Sequence, residues 1–288
     1  MDSVPTKPRR SLVDRLKDID RRVIFVFIAV AVIIPMVWPI GLSLKASPPS
    51  RALFREVESL PRGSVVLMAF DYDPATEIEL GPMCLAFLKQ CFRKGLKVVG
   101  LALWPQGAQL ARASFSEAAK GYNVRYGVDY VNLGFKAGGI VVIDSLGKDF
   151  RESFPVDVDG RPLSDLPLMK KVKNFADIDF VMALSAGDPG LPFWIMIAQG
   201  RFGRKVGGGC TAVSAPMLYP YFPNQLVGLL GGMKGAAEYE LLVGEKGPAT
   251  RGMDAQSIAH AAIVFFIIIG NVFFFISKRK QKLMGARA

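Results

Sequence analysis

Hydrophobic positions along this chain follow two different rules. Two stretches are apolar on every face. Between them, short continuous apolar runs alternate with segments whose apolar positions recur at helical spacing. The first all-apolar stretch runs from Val23 to Leu44 (VIFVFIAVAVIIPMVWPIGLSL), 22 residues without a charge. As a helix at 1.5 Å per residue it would reach about 33 Å, enough for the ~30 Å hydrocarbon core of a bilayer. Its apolar core is longer than the ~7–15 residues of a signal peptide, and no A-x-A site follows within Lys45–Arg51, so an uncleaved anchor is expected. Pro35 and Pro39 should kink or fray its outer half, leaving Trp38 at the interface. The second stretch, Ile258–Ile276 (IAHAAIVFFIIIGNVFFFI), is also uncharged and runs directly into SKRKQK. The expected organisation is a basic tail (1–22), a transmembrane helix (23–44), a linker (45–63), an α/β domain (64–250), a second transmembrane helix (255–277) and a basic tail (278–288).

Within the central region, 45–63 reads as a linker with a short helix, interrupted by Pro48, Pro49 and Pro61. SVVLMAFDYD (64–73) reads as a buried strand. Residues 78–93 read as a helix with Leu80, Cys84, Phe87, Leu88 and Cys91 on one face. KVVGLALW (97–104) and VDYVNLGF (128–135) are further strands, separated by a helix over 106–120. AGGIVVIDSLGKDF is ambiguous: its β-branched run favours a strand, but Ile140, Ile143, Leu146 and Phe150 fit a helical face. The need for a crossover selects helix. A short basic helix is expected over 168–174, a fourth strand over 178–187, a short helix over 193–200, a fifth strand in RKVGGGCTAVSAP and a closing helix over 224–243. Alternation at this spacing is the mark of a βαβ series, and runs such as VVLMAF suit a sheet covered on both faces. The predicted fold is a three-layer α/β domain with about five strands in a mainly parallel, Rossmann-like sheet between two transmembrane helices.

Charge then decides what the basicity is for. The net charge is +11, which first suggests nucleic acid or anionic lipid. Residues 1–22 carry seven Lys/Arg against four Asp, and 277–288 carry five against none, leaving 11 − 3 − 5 = +3 for the rest. The basic residues therefore flank the apolar stretches, and no nucleic-acid partner is expected. Lys and Arg are retained on the cytoplasmic side, so both termini are expected there, with the central domain outside the cytoplasm. The expected partners are the lipid bilayer and either further copies of the chain or other membrane subunits.

Candidate chemistry follows from the rule that open parallel sheets bind ligands outside the carboxyl ends of their strands. Those ends carry Asp71 and Asp73, Trp104 and Gln106, Lys136, Ser185 and Asp188, and Cys210, Thr211 and Ser214. Asp71, Asp73, Ser185, Asp188, Cys210 and Ser214 are the catalytic candidates; Trp104, Gln106, Lys136 and Thr211 are the ligand-binding ones. The segment FDYDPAT resembles the phosphoryl-transfer strand end of haloacid-dehalogenase-like enzymes. That resemblance would imply Mg²⁺ on the two carboxylates. However, Thr76 stands one residue too far on, and no later acidic pair completes the site. Asp71 or Asp73 capping the next helix before Pro74 is the better reading.

The run GGGCTAVSAP could place Cys210 on a tight turn with free backbone N–H groups. A cysteine hydrolase needs a base, usually His, and the one histidine, His260, lies in the second apolar stretch. Close backbone packing with Cys210 as a small buried hydrophobe is preferred. A lysine base for Ser214 would be Lys136, Lys205 or Lys234. Gly228, Gly231, Gly232 and Gly235 recur at four-residue spacing and, with Asn271, are the candidate interface residues. No metal and no cofactor is expected. The functional expectation is a scaffold or interaction subunit of a membrane assembly; the alternative is an envelope hydrolase or small-ligand-binding domain built on the strand ends.

Overall fold

A computed structural model of the chain describes residues 21–38 and 45–285. It forms two compact units: the flanking segments Met1–Leu42 with Arg251–Ala288, and the domain Ser43–Thr250. In the flanking unit, α1 (Arg21–Val37) is an apolar helix of 17 residues. The rest of the expected first span, 39–44, lies outside the described residues, as does the tail 1–20. The described part of α1 is thus shorter than the ~20 residues a span needs. The last helix of the chain runs Pro248–Gly285. Its portion Pro248–Ile276, 29 residues with a mean hydropathy of 2.4 over its most apolar 18-residue window, is long and apolar enough to cross a membrane. Phe27 and Phe266 meet edge to face at 5.3 Å between ring centroids, so the two apolar helices touch.

The domain opens with α2 (Pro48–Ser59), which begins on two prolines whose missing N–H groups cost nothing at a helix start. Its Leu53 and Val57 are fully buried, so most of the expected linker is part of the fold. There follow β1 (Val65–Asp71), α3 (Glu77–Lys94), β2 (Lys97–Ala102), α4 (Gly107–Ala119), β3 (Tyr130–Phe135), α5 (Ile140–Leu146) and α6 (Phe150–Ser153). They are succeeded by β4 (Phe180–Ser185), α7 (Leu191–Trp194), a π-helical turn (Ile195–Gln199), β5 (Val206–Cys210), α8 (Ala215–Leu218), β6 (Gly228–Gly231) and α9 (Gly232–Val243). The ambiguous Ile140 segment is helical, as the crossover required.

The sheet has six strands, all parallel, in the order β3-β2-β1-β4-β5-β6. Strand direction alternates side chains between two layers. Leu67, Ala69, Val181 and Ala183 join one core with Val142, Leu191 and Trp194 of α5 and α7. On the other face Phe70 meets Phe115 of α4, and Phe180 stacks on Phe87 of α3.

Two expectations are corrected. The closing helix over 224–243 is a strand followed by a helix, which raises the strand count from five to six. Gly228 is the reason: a Cβ there would meet the Pro49 carbonyl and Leu53, so only glycine lets α2 lie on the sheet edge. Gly232, at φ +60°, then makes the turn into α9. The basic helix expected over 168–174 is a run of turns. Leu168, Met169 and Val172 are buried there, and the Leu168 N–H is committed to the Gly127 carbonyl instead of a helical partner.

Candidate functional site

The strand order reverses direction between β1 and β4, which is where a sheet of this order opens a crevice. Register places three of the predicted residues in one row there. Asp71 pairs with Ser185 across β1 and β4, and Ser185 pairs with Cys210 across β4 and β5. Sequence separations of more than a hundred residues thus collapse onto a single face of the sheet.

The row is covered by the protein itself. Asp71 is fully buried. Its carboxylate accepts the Leu103 N–H at 2.7 Å and the Trp194 indole N–H at 2.8 Å. Burial pushes its pKa up to about 7, against the pull of those two hydrogen bonds. Asp71 is therefore an internal tie between β1, the end of β2 and α7, not a helix cap. Asp73 does not cap α3 either: its Oδ1 accepts the Thr76 N–H at 3.1 Å and the Thr76 hydroxyl at 2.9 Å, closing the turn ahead of the helix, whose N-cap residue is Thr76. The Trp104 indole N–H donates to the Pro189 carbonyl at 2.7 Å, and the ring packs beside Gly187. Trp194 and Trp104 together close the reversal point.

Cys210 is also fully buried, and burial pushes its thiol up to about 12, so it is not a thiolate at neutral pH. The preceding glycines serve packing: a Cβ at Gly207 would meet Leu53 and Phe180, one at Gly208 would meet Leu191, and one at Gly209 would meet Leu184 and Met83. Cys84 and Cys91 are likewise buried and free.

Beside the closed point, a cavity of about 290 Å³ remains open at the carboxyl ends of β4 and β5. Ser185, Asp188, Ser214, Met217, Leu218 and Tyr221 line it. Three of the six catalytic candidates, Ser185, Asp188 and Ser214, converge here. The Ser185 hydroxyl donates to the Gly187 carbonyl at 3.1 Å, and the Ser214 and Thr211 hydroxyls share a hydrogen bond at 3.1 Å. Thr211 is buried. Gln106 and Lys136 are exposed and lie outside the cavity, because α4 and the segment after β3 carry them to the far side of the reversal point. Of the other two lysines considered as bases, Lys205 pairs with Glu56 at 2.6 Å and Lys234 with Glu238.

The interface candidates also find partners inside the chain. Gly228 and Gly231 belong to β6, not to a helix face. A Cβ at Gly231 would meet Ala215, at Gly232 Ala212, and at Gly235 the Leu230 backbone. Asn271 donates one Nδ2–H to the Ile267 carbonyl of its own helix at 2.9 Å.

Sequence reasoning missed Trp194, Glu238 and Glu240. Trp194 sits in a four-residue helix too short to show periodicity. The two glutamates stood out only as carboxylates in a helix otherwise built of small and apolar residues. Glu238 accepts the Ser47 and Ser50 hydroxyls, each at 2.6 Å, and pairs with Lys234. Glu240 accepts the N–H groups of Ala249 at 3.0 Å and Thr250 at 2.7 Å, and the Thr250 hydroxyl at 2.6 Å.

Two larger cavities flank α4, one of about 580 Å³ beside α4 and β3 and one of about 610 Å³ between α3 and α4. Among the described residues, no group of three or more His, Cys, Asp or Glu is placed to hold a metal ion. Comparison of the chain with family models, with curated proteins and with solved structures yields no match.

Proposed function

We propose that the chain is a membrane-anchored interaction subunit whose α/β domain serves as a docking platform, not as an enzyme. One observation carries this reading: the sheet's reversal point is closed by Trp194 and Trp104 while the rim of its carboxyl end carries bare apolar side chains. Ile78 is 67% exposed, Val141 70% and Val213 85%. Each sits on the segment following a strand and so on the carboxyl side of the sheet. Exposed apolar residues gathered on one side mark an interaction surface more often than scattered ones do. Alongside this, no histidine or lysine lines the cavity that holds Ser185 and Ser214, whose hydroxyls are bonded to a carbonyl and a threonine, and Cys210 is a buried thiol.

The partner in this reading is another copy of the chain or another membrane subunit. Native mass spectrometry of the full chain in nanodiscs tests it. The expected result is an oligomer or hetero-complex that the double variant Ile78→Asp/Val213→Asp dissociates without lowering the thermal midpoint. A clean wild-type monomer at micromolar concentration, after isolation from its native membrane, would remove the proposal.

A further inference from the structure

We propose that the cavity at the carboxyl ends of β4 and β5 binds a small organic cation: a protonated amine on Asp188 with an apolar body against Met217, Leu218 and Tyr221. This inference stands independently of the docking surface, since Ile78, Val141 and Val213 do not line the cavity.

The chemistry follows from what lines the space. Asp188 is the one charged side chain among the lining residues. Among the described residues its carboxylate makes no hydrogen bond or ion pair. In the cavity beside α4 and β3, by contrast, the charged groups are paired: Arg112 with Asp159 at 2.5 Å and Lys120 with Glu117 at 2.6 Å. A carboxylate left without a cation at the mouth of a partly enclosed space favours a positive group there.

The neighbours extend the match. The Ser185 and Ser214 hydroxyls each retain acceptor capacity for an ammonium N–H, because a hydroxyl offers two lone pairs. Tyr221 contributes an aromatic ring, a group that attracts cations, and Met217 a polarizable thioether. An anion would meet an acidic residue with no basic side chain to offset it, so carboxylates and phosphates are disfavoured. The volume of about 290 Å³ lies at the lower end of ligand sites and fits a molecule of about ten heavy atoms. The position agrees with the rule for open parallel sheets, displaced one strand from the reversal point because Trp194 and Trp104 occupy that crevice.

The probe is 2-phenylethylamine, with 2-phenylethanol and 3-phenylpropanoate as neutral and anionic counterparts. Saturation-transfer NMR on the full chain in nanodiscs reads binding, and Asp188→Asn in the same nanodiscs subtracts partition into lipid. We expect the amine to bind wild type, with the alcohol and the acid at least tenfold weaker. Asp188→Asn should lose about tenfold or more in affinity for the amine, the scale of one charged hydrogen bond. Met217→Trp, which fills the cavity and keeps the carboxylate, should abolish binding too. Asp188 and Met217 are both exposed, and unchanged thermal midpoints would show that both variants fold. Equal binding of amine and alcohol, or of amine to wild type and Asp188→Asn, would overturn the cationic assignment. Binding that survives Met217→Trp would overturn the location. No binding of any of the three probes would overturn the site altogether.

Discussion

Asp71 shows how a residue type that looks catalytic in sequence can be structural in place. It ends a strand, as a catalytic carboxylate would, but Leu103 N–H and the Trp194 indole take its oxygens and no cation faces it. Desolvation raises its pKa from an ordinary 3.8 to about 7. A carboxyl raised in the folded state binds its proton more tightly there than in the unfolded chain. Its contribution to stability is therefore whole below about pH 4 and falls as pH rises toward 7. Asp71→Asn removes this titration. The unfolding free energy of wild type minus that of Asp71→Asn should decline by about 1–4 kcal/mol between pH 4 and pH 8. Chemical denaturation of both proteins across that range checks it, and a flat difference would refute the raised pKa.

At the scale of elements, α9 does the most unexpected work. It carries two buried glutamates two positions apart, and each holds one end of the domain's chain. Burial works against ionisation of Glu238, but hydrogen bonds from Lys234, Ser47 and Ser50 outweigh it and hold its pKa below the usual carboxylate range. Glu238 thus secures the entry into α2. Glu240 supplies acceptors to the first turn of the last helix, whose N–H groups have no intrahelical partners. Glu240→Ala would leave buried N–H groups unsatisfied and should destabilise the domain by about 1–3 kcal/mol. It should also increase amide exchange at Ala249 and Thr250 before that of the sheet. Hydrogen exchange read by mass spectrometry distinguishes this local fraying from a uniform loss across the domain.

For the molecule as a whole, Pro248–Ile276 is a helix able to cross a membrane, and the topology around it is a proposal from charge. SKRKQK follows the apolar run, and basic residues stay on the cytoplasmic side. We expect both termini inside and the domain outside. Protease treatment of right-side-out vesicles should digest 46–254 and spare the tails. Protection of that region with loss of the tails would refute the assignment. Exposed Phe25, Ile33, Phe274 and Phe275 on the two apolar helices are what a lipid environment would cover.

Local pattern was enough to read the fold class, the alternation of strands and helices, the helical choice at Ile140–Leu146 and the tight packing around Cys210. These were legible because they rest on local periodicity and composition, which need no knowledge of neighbours. It also named the strand ends that carry polar residues, and Ser185, Asp188 and Ser214 do share one cavity. Tertiary structure alone decided the rest. Gly228–Gly231 became a strand because α2 and β5 flank it, and no local signal reports a neighbour from elsewhere in the chain. Gln106 and Lys136 fell outside the cavity because strand order, which is invisible in a single sequence, put their strand ends beyond the reversal point. Asp71 and Asp188 are both aspartates after apolar strands. The placement of Leu103 and Trp194 made the first an internal tie, while the second was left facing an open cavity, because burial and hydrogen-bond partners are properties of the packed chain.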